Sequence, residues 1–595
     1  MSAENIPDSA RVQAGFQQGL ALHQQGQLAQ AGESYRQVLK LQPEHHDALH
    51  MLGVVAYQTG NPLQAVELIG RAIALNPNNA NAHSNHGLAL QELMRPAEAL
   101  ESYDHALELK PDYAEAYSNR GNALKDLKRL DEALDSYDRA LELKPDYAEA
   151  CNNRGFALQE LKQFDEALDS YERAIELRPD YAEAYCNRGN VLQELERLDE
   201  ALDSYDRAVA LDPGNAEAHY NRGLALQALK RLEEALHSYD RAIELKPGYV
   251  DAFNNRGLVL KELKRLDEAL DSYHRAVELK PDFADGHLNL SLCRLLMGDF
   301  ARGWEGFEWR WQSVQLESRR SFPQPLWLGA QPLQGKTILL HSEQGLGDAL
   351  QFCRYASAAS AAGARVILEV PKPLTALLAN LSGVAQVVEK GSALPPFDFH
   401  CPLLSLPLAF KTDATTIPSF TSYVGSSPGK VTAWRTKLGE RTKPRVGLAW
   451  RGSALHKNDR NRSIALGDLV DQLPPKFQYV SLQKETTDVD EEILGSRRDI
   501  LHFGEQLADF TDTAALCELM DVVISVDTSV AHLAGAMGRP VWILLTFIPD
   551  WRWLLDREDS PWYPSARLFR QERNWDWAGA IDRVRTALLR RPAAG

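Results

Sequence analysis

AEAYSNRGNALKDLKRLDEALDSYDRALELKPDY, residues 114–147, is one period of a pattern that fills the first half of the chain. Its Pro145 belongs to a series spaced 34 residues apart: Pro43, Pro77, Pro111, Pro145, Pro179, Pro213, Pro247 and Pro281. With proline as position 32 of a unit, position eight is Gly19, Gly53, Gly87, Gly121, Gly155, Gly189, Gly223 and Gly257, and position twenty is alanine in all eight units, from Ala31 to Ala269. Within the quoted stretch Ala116, Tyr117, Ala123, Leu124 and Leu127 recur at helical spacing, a Lys128-Arg129 turn comes next, and Ala133, Tyr137 and Ala140 mark a second helix. Each period therefore reads as a helical hairpin that must stack on its neighbours to bury its apolar face. Asp112, Asp146 and Asp180 come directly after the proline, with Glu115, Glu149 and Glu183 three residues later, a spacing that predicts a capping box at the start of the next helix.

A 34-residue helix-turn-helix unit with this Gly, Ala and Pro signature resembles the tetratricopeptide repeat, whose small residues let the two helices approach closely. Eight units cover 12–283. A ninth, degenerate one has Ser291 where glycine is expected and the aromatic run Trp304, Phe307, Trp309 and Trp311; with the Pro-containing stretch after it, 284–333 is expected to cap the stack and link it to the second half of the chain. Position six is asparagine in seven consecutive units: Asn85, Asn119, Asn153, Asn187, Asn221, Asn255 and Asn289. A column of planar amides can clamp the backbone of an extended peptide without reading its sequence, and hydrogen bonding between duplicated units accounts for it equally well. The array is similar to the one fronting protein O-linked N-acetylglucosamine transferases, where an asparagine ladder binds the acceptor polypeptide. That resemblance implies a protein or peptide in the groove, fading toward the N-terminus, where Gln17 and Met51 replace asparagine.

The formal charge of −17 over 595 residues is unevenly placed. Residues 1–320 hold 35 Lys/Arg against 53 Asp/Glu, and the remainder is balanced at 30 against 29. An acidic array repels phosphate backbones, which argues against nucleic acid and for a neutral or basic polypeptide partner. The six cysteines are scattered, without a C-x-x-C pair or clustered histidines, so a reduced protein without bound metal or resident cofactor is expected. The first ten residues lack basic and apolar leader regions, and no stretch of eighteen apolar residues occurs, so a cytoplasmic location without a membrane span is expected.

After residue 334 the periodicity changes to alternating β-rich and helical runs. Thr337–Leu340 reads as a strand, followed by the loop SEQGLGD, a helix over 349–362 and a strand over 365–370. From Arg445 come strand RVGLAW, a basic loop, a helix to Leu473, strand YVSLQ, a helix over 512–520, strand DVVISVD, a helix from Thr528 and strand PVWILL. The fold class is thus α + α/β, with two Rossmann-like subdomains, 334–430 and 431–595, facing each other across a cleft.

Ligands of such sheets sit outside the carboxyl ends of the strands, and three loops there are chemically unusual. In Glu343-Gln344-Gly345-Leu346-Gly347-Asp348, Gly345 and Gly347 allow close backbone approach and Asp348 stands at a helix N-terminus, either as a base for an alcohol or as a helix cap. Arg451, Lys457, Arg460 and Arg462, in a basic stretch that also holds Arg441, Lys443 and Arg445, either suit a diphosphate or form a solvated charged face. In Asp527-Thr528-Ser529-Val530-Ala531-His532, the amides of Thr528, Ser529 and Val530 offer an anion site, with Asp527 and His532 in reach of the same ligand, or else the segment is a helix cap and a core histidine. The aromatic segments Pro549–Trp553 and Trp562–Pro564 suit either stacking on a ligand or closing the domain edge. The one D-x-D, Asp488-Val489-Asp490, reads as a solvated acidic turn.

GLGD after the first strand, paired with DTSVAHLAGAMGRPV after a late one, resembles the heptosyltransferase-type glycosyltransferases of family nine, which have the two-Rossmann GT-B fold. The resemblance covers about 334–585. It implies that Asp348 is the general base, that Lys457 with Arg460 or Arg462 clamps the donor diphosphate, that Thr528 to Val530 cradle the anion, and that Asp527 and His532 hold the nucleotide sugar. It further implies inverting, metal-independent transfer of a sugar from a nucleotide-diphosphate sugar to an acceptor hydroxyl, here on a protein recruited by the repeats. The loop RGSALHKNDRNR departs from the heptosyltransferase pattern, so the donor does not carry over. The alternatives are a non-catalytic scaffold with a nucleotide-binding GT-B-like part, and a hydrolase or epimerase using His341 or Glu343 as a second acid or base.

Overall fold

A computed structural model describes residues 8–313, 320–453 and 459–591. The chain forms two compact units, Met1–Pro247 and Gly248–Gly595. The array expected over 12–283 is thereby divided, and its last regular hairpin, Val250–Glu262 with Leu266–Leu279, belongs to the second unit.

In the first unit, helical hairpins succeed one another from Asp8–Gln24 to Leu232–Leu245, and three devices recur along them. Position eight is glycine because the side chain at position 24, a tyrosine except for Ile69 in the second repeat, lies against it. A Cβ on Gly155 would sit 2.7 Å from Tyr171 Cε1, and one on Gly189 2.6 Å from Tyr205 Cε1. The helix-to-helix turn places position fifteen in the left-handed region: Gly26 and Gly60 first, then Met94, Lys128, Lys162, Glu196 and Lys230 at φ 57–62°. For a non-glycine residue this costs roughly 1–2 kcal/mol, which the packing on either side offsets. Third, Arg120, Arg154, Arg188 and Arg222 each donate Nη1 to a serine of their own hairpin at 2.6–2.8 Å and Nε to a carboxylate of the preceding repeat, Asp104, Asp138, Glu172 and Asp206, at 2.5–3.2 Å. These arginines tie repeat to repeat.

The expected capping box does not form. Helices Ala114–Asp126, Ala148–Glu160 and Ala182–Glu194 have Tyr113, Tyr147 and Tyr181 at the N-cap, without a side-chain cap. Asp112, Asp146 and Asp180 stand one residue too early to reach the helix amides. Glu115 and Glu149 instead pair with Lys144 and Arg178, whose charged heads lie 4.5 Å from the Tyr147 and Tyr181 ring centres. Side-chain caps occur where a residue with a free acceptor takes the N-cap position itself, at His45, Asn61, Asn79 and Asn215.

In the second unit the degenerate repeat, Ala284–Leu296 with Phe300–Phe307, docks on the α/β part. Trp304 meets Trp551 edge-on at 5.0 Å and its Nε1 donates to the Thr412 carbonyl at 3.0 Å. Ser291 fits where glycine was expected because its Oγ donates to the Gly303 carbonyl at 2.7 Å and the facing position is Gly306.

The rest of this unit is built on two all-parallel sheets. The first contains β1 (Thr337–His341), β2 (Arg365–Val370), β3 (Val384–Glu389) and β4 (Phe399–Pro402) in the order β3-β2-β1-β4. The second contains β5 (Arg445–Ala449), β6 (Gln478–Ser481), β7 (Ile500–Leu501), β8 (Val522–Val526), β9 (Val541–Leu545) and β10 (Ala566–Arg570) in the order β10-β9-β8-β5-β6-β7. Every residue of β5, β8 and β9 is buried, as apolar runs covered on both faces require. Four strands were not anticipated: β4 and β7 are very short, and β3 and β10 carry exposed residues at the sheet edges. The single helix expected over 349–362 is two, Leu346–Phe352 and Tyr355–Ala361, with buried Arg354 at the break donating to the Trp562 carbonyl at 2.7 Å and to Tyr423 Oη at 2.9 Å.

Candidate functional site

The loops after β1 and β8 come together. Helix Leu346–Phe352 packs on helix Ser529–Ala536, so closely that a Cβ on Gly347 would lie 2.8 Å from His532 Cδ2. Gly347 is thus demanded by the histidine ring of the other motif. Gly345 is the N-cap of the first helix, and its amide donates to Asp348 Oδ2 at 2.9 Å.

Asp348 Oδ1 receives Arg552 Nη2 in a close contact. Arg552, 8% exposed, also donates Nε to Gln351 Oε1 at 2.7 Å and Nη1 to Asp550 Oδ1 at 2.8 Å. Burial opposes its charge, and the carboxylates of Asp550 and Asp348 more than offset that, so it stays cationic. Arg552 does not stand out in the sequence, where Pro549–Trp553 reads only as aromatic surface. A cation between two tryptophans, two residues after Asp550, was the available signal. The aromatic residues themselves close the core: Trp551, Trp553, Trp562 and Tyr563 are all at most 5% exposed.

Beside them stand Asp527 and His532. Burial first, then the negative charge of Asp550, push the Asp527 carboxyl above the usual carboxylate range. Burial, reinforced by Arg552, holds His532 far below the usual histidine value, so its ring is neutral. Its Nδ1 lies 2.9 Å from Tyr563 Oη and its Nε2 3.7 Å from Asp527 Oδ1. Thr528 is the N-cap of helix Ser529–Ala536, and its Oγ1 accepts the Val530 amide at 3.3 Å. Part of the expected anion cradle of Thr528, Ser529 and Val530 is thus already satisfied within the helix.

The basic stretch divides into two groups. Arg441, Lys443 and Arg445 lie at the amino end of β5, away from the loops, bound to Asp521, the Pro475 carbonyl and Gln478 respectively. Arg462 lies at the carboxyl end and donates Nη1 to the Asp527 carbonyl at 3.1 Å and Nε to Asp459 Oδ1 at 3.3 Å. Arg451 pairs with Asp490 at 3.2 Å. Asp490 is not part of a solvated turn: it is buried, accepts Trp450 Nε1 at 3.2 Å and closes a capping box with Thr487. Lys457 lies outside the described residues, as does the side chain of Arg460.

The asparagine column is partly spent on the fold. Asn85 meets His50 Nε2 at 2.9 Å, Asn187 donates to Asn152 Oδ1 at 3.0 Å, Asn221 to Asn190 Oδ1 at 3.0 Å and Asn289 to Asn254 Oδ1 at 2.9 Å. Asn255 Oδ1 accepts from Asn254 at 3.3 Å. Asn119 and Asn153 make no side-chain hydrogen bond among the described residues and are half-buried. Among the described residues no group of three or more His, Cys, Asp or Glu has the arrangement of a metal site, and no helix is long and apolar enough to cross a membrane.

Family models for the tetratricopeptide repeat match residues 16–80 and 186–250, 97–128 and 160–196, and 114–147 and 250–283. The N-terminal region of about 290 residues is an array of tetratricopeptide repeats. Protein FlbA of Caulobacter vibrioides is 28% identical over 325 residues, 49% of this chain and 53% of that protein, so the chain spans about half the length of the curated relative it matches. Among solved structures, YrrB, described as a TPR protein with an unusual peptide-binding site, is 30% identical over 31% of this chain and 96% of its own, with a TM-score of 0.29. PilF of Pseudomonas aeruginosa is 23% identical over 35% and 94%, with a TM-score of 0.32.

Proposed function

We propose that the protein is a glycosyltransferase of the GT-B type that moves a sugar from a nucleotide-diphosphate sugar to a hydroxyl of a protein held by its repeats. The observation that carries the reading is the meeting of the two motifs, about 180 residues apart, with Gly347 against His532, and the pairing of Asp348 with Arg552 of the loop after β9. The strand orders, 3-2-1-4 in one sheet and 3-2-1-4-5-6 in the other when each is numbered from its own start, are those of nucleotide-binding Rossmann sheets, whose ligands lie at the carboxyl ends where these loops stand.

In this reading Asp348 accepts the acceptor hydroxyl's proton as the oxygen attacks the anomeric carbon, and inversion results from a single displacement. Arg462, Arg552 and the N-terminus of helix Ser529–Ala536 stabilise the departing diphosphate, each matched to charge that grows during the step. Arg552 closes Asp348. An arriving diphosphate competes for the guanidinium and releases the carboxylate as the donor seats. Neutral His532 and protonatable Asp527 bind sugar or ribose hydroxyls as hydrogen-bonding groups rather than charges. In the array, Asn119 and Asn153 keep their amides available for a peptide backbone.

Calorimetric titration of the full chain with UDP, GDP, ADP and dTDP sugars tests the reading. One donor should bind saturably, and Asp348→Asn should keep that binding while losing transfer. Undiminished turnover in Asp348→Asn removes the base assignment. A second reading, a scaffold whose α/β part no longer catalyses, is favoured by one observation, the closed Asp348–Arg552–Asp550 chain, and absence of binding by every donor would establish it over the first.

A further inference from the structure

The loop that presents Asp348 carries a second carboxyl, which the reaction above does not use. Glu343 lies two residues after β1, with its side chain 8% exposed. Its Oε1 accepts Arg310 Nη2 at 2.9 Å and Nε at 3.1 Å, while Oε2 is buried without a partner among the described residues. Arg310 comes from the repeat side, in the single turn Glu308–Trp311 that ends the degenerate repeat. Its side chain is fully buried and also donates to Glu308 Oε1 at 2.6 Å, Ser405 Oγ at 2.7 Å and the Phe307 carbonyl at 3.2 Å, with the Trp311 ring 4.3 Å away.

One buried cation thus serves two carboxylates. The titratable groups facing Glu343 are Arg310 and Glu308 from the repeat side, Asp348 from its own loop, and Cys401 of β4, whose thiol burial keeps neutral. Burial pushes the Glu343 carboxyl up to about 7, against the pull of Arg310. With Oε1 taken by Arg310, a proton on Glu343 sits on Oε2.

We propose that Glu343 is a positioning residue of the transfer centre, anchored by Arg310 of the last repeat, whose change of charge alters the field at Asp348. The proposal rests on Asp348 being the base. Ionised Glu343 completes its pair with Arg310, fixes the loop, and adds negative charge near the carboxylate that must take the acceptor's proton. In this enclosed setting that favours proton transfer. Turnover should therefore rise as pH passes through neutrality.

Glu343→Gln holds the neutral form and is compared with the native chain in two ways. The first needs no substrate. The folded native chain keeps the Glu343 proton to higher pH than the unfolded chain does, so it loses stability as pH rises between the ordinary glutamate range and about 7. The glutamine variant lacks this loss, and its melting temperature minus the native one should grow between about pH 5 and about pH 8. A flat difference overturns the inference. The second uses the donor found by titration together with its acceptor. Native kcat should rise about tenfold between about pH 6 and about pH 8, with the variant flat and the donor KM similar in both. Arg310→Lys should keep part of the rise and Arg310→Met lose it, and a full rise in Glu343→Gln overturns the inference. A native chain that binds no nucleotide sugar removes the transferase reading and the role at Asp348 with it. A flat melting difference in a chain that does bind a donor removes Glu343 alone.

Discussion

Replacing Arg552 by methionine keeps most of the side-chain volume and removes the one cation that joins Asp348, Asp550 and Gln351. Arg552 is almost fully buried, and the carboxylates it leaves are only 19% and 35% exposed on their side chains. Breaking a buried pair by removing one partner costs about 3–5 kcal/mol, because the remaining charge stays uncompensated. The unit Gly248–Gly595 unfolds with an entropy of roughly 2.1 cal/mol/K per residue, so that loss lowers its melting temperature by about 4–7 °C. All twelve tryptophans lie in this unit and none in Met1–Pro247, so their fluorescence reports this transition apart from the first unit. The deficit must also depend on pH. Asp527, already raised by burial and Asp550, binds its proton more tightly in the folded than in the unfolded chain, so it costs stability as pH rises above the ordinary carboxylate range. Without Arg552 that cost grows. The difference between variant and native should be larger near about pH 8 than near about pH 4, where Asp527 keeps its proton in both. A shift under about 1 °C, or one equal at both ends of the pH range, would refute the view that Arg552 is what makes this cluster of acids tolerable.

The array and the core give three further expected outcomes. Gly189→Ala places a Cβ 2.6 Å from Tyr205 and should cost about 1–3 kcal/mol by circular-dichroism melting, with Tyr205→Leu restoring part of it; an unchanged melt would show that the ring can move aside. Asn119→Ala with Asn153→Ala should weaken binding of the acceptor protein with little effect on melting, whereas Asn187→Ala, which loses its bond to Asn152, should lower the melting temperature; equal binding in all three would make the column structural. All six cysteines are buried, and burial raises the thiols of Cys353 and Cys517 to about 12, so the native chain should react with less than about one equivalent of a thiol reagent at pH 8 and with all six after denaturation.

The repeats were legible in sequence because the hairpin is local and is written many times over. A glycine, an alanine and a proline in fixed phase specify the turn and the closest approach before any long-range contact forms. The same local logic failed at the helix starts, where Asp112, Asp146 and Asp180 have the composition of a capping box and miss the N-cap position by one residue. In the α/β part, β1, β5, β8 and β9 could be read from unbroken apolar runs, since strands buried on both faces permit little else.

The sequence by itself determined the repeat period, the alternating second half and the loops where chemistry can sit. Only the tertiary structure decided which charges meet. Asp348 and Arg552 are about 200 residues apart, as Arg310 and Glu343 are about 33, and no periodicity links them. The basic stretch shows the same limit: Arg445 and Arg462 look alike in the chain, and five residues of strand send them to opposite ends of a sheet. Local propensity acts over a few residues, whereas the cost of burying a charge is settled by whatever partner the completed fold brings within about 3 Å of it.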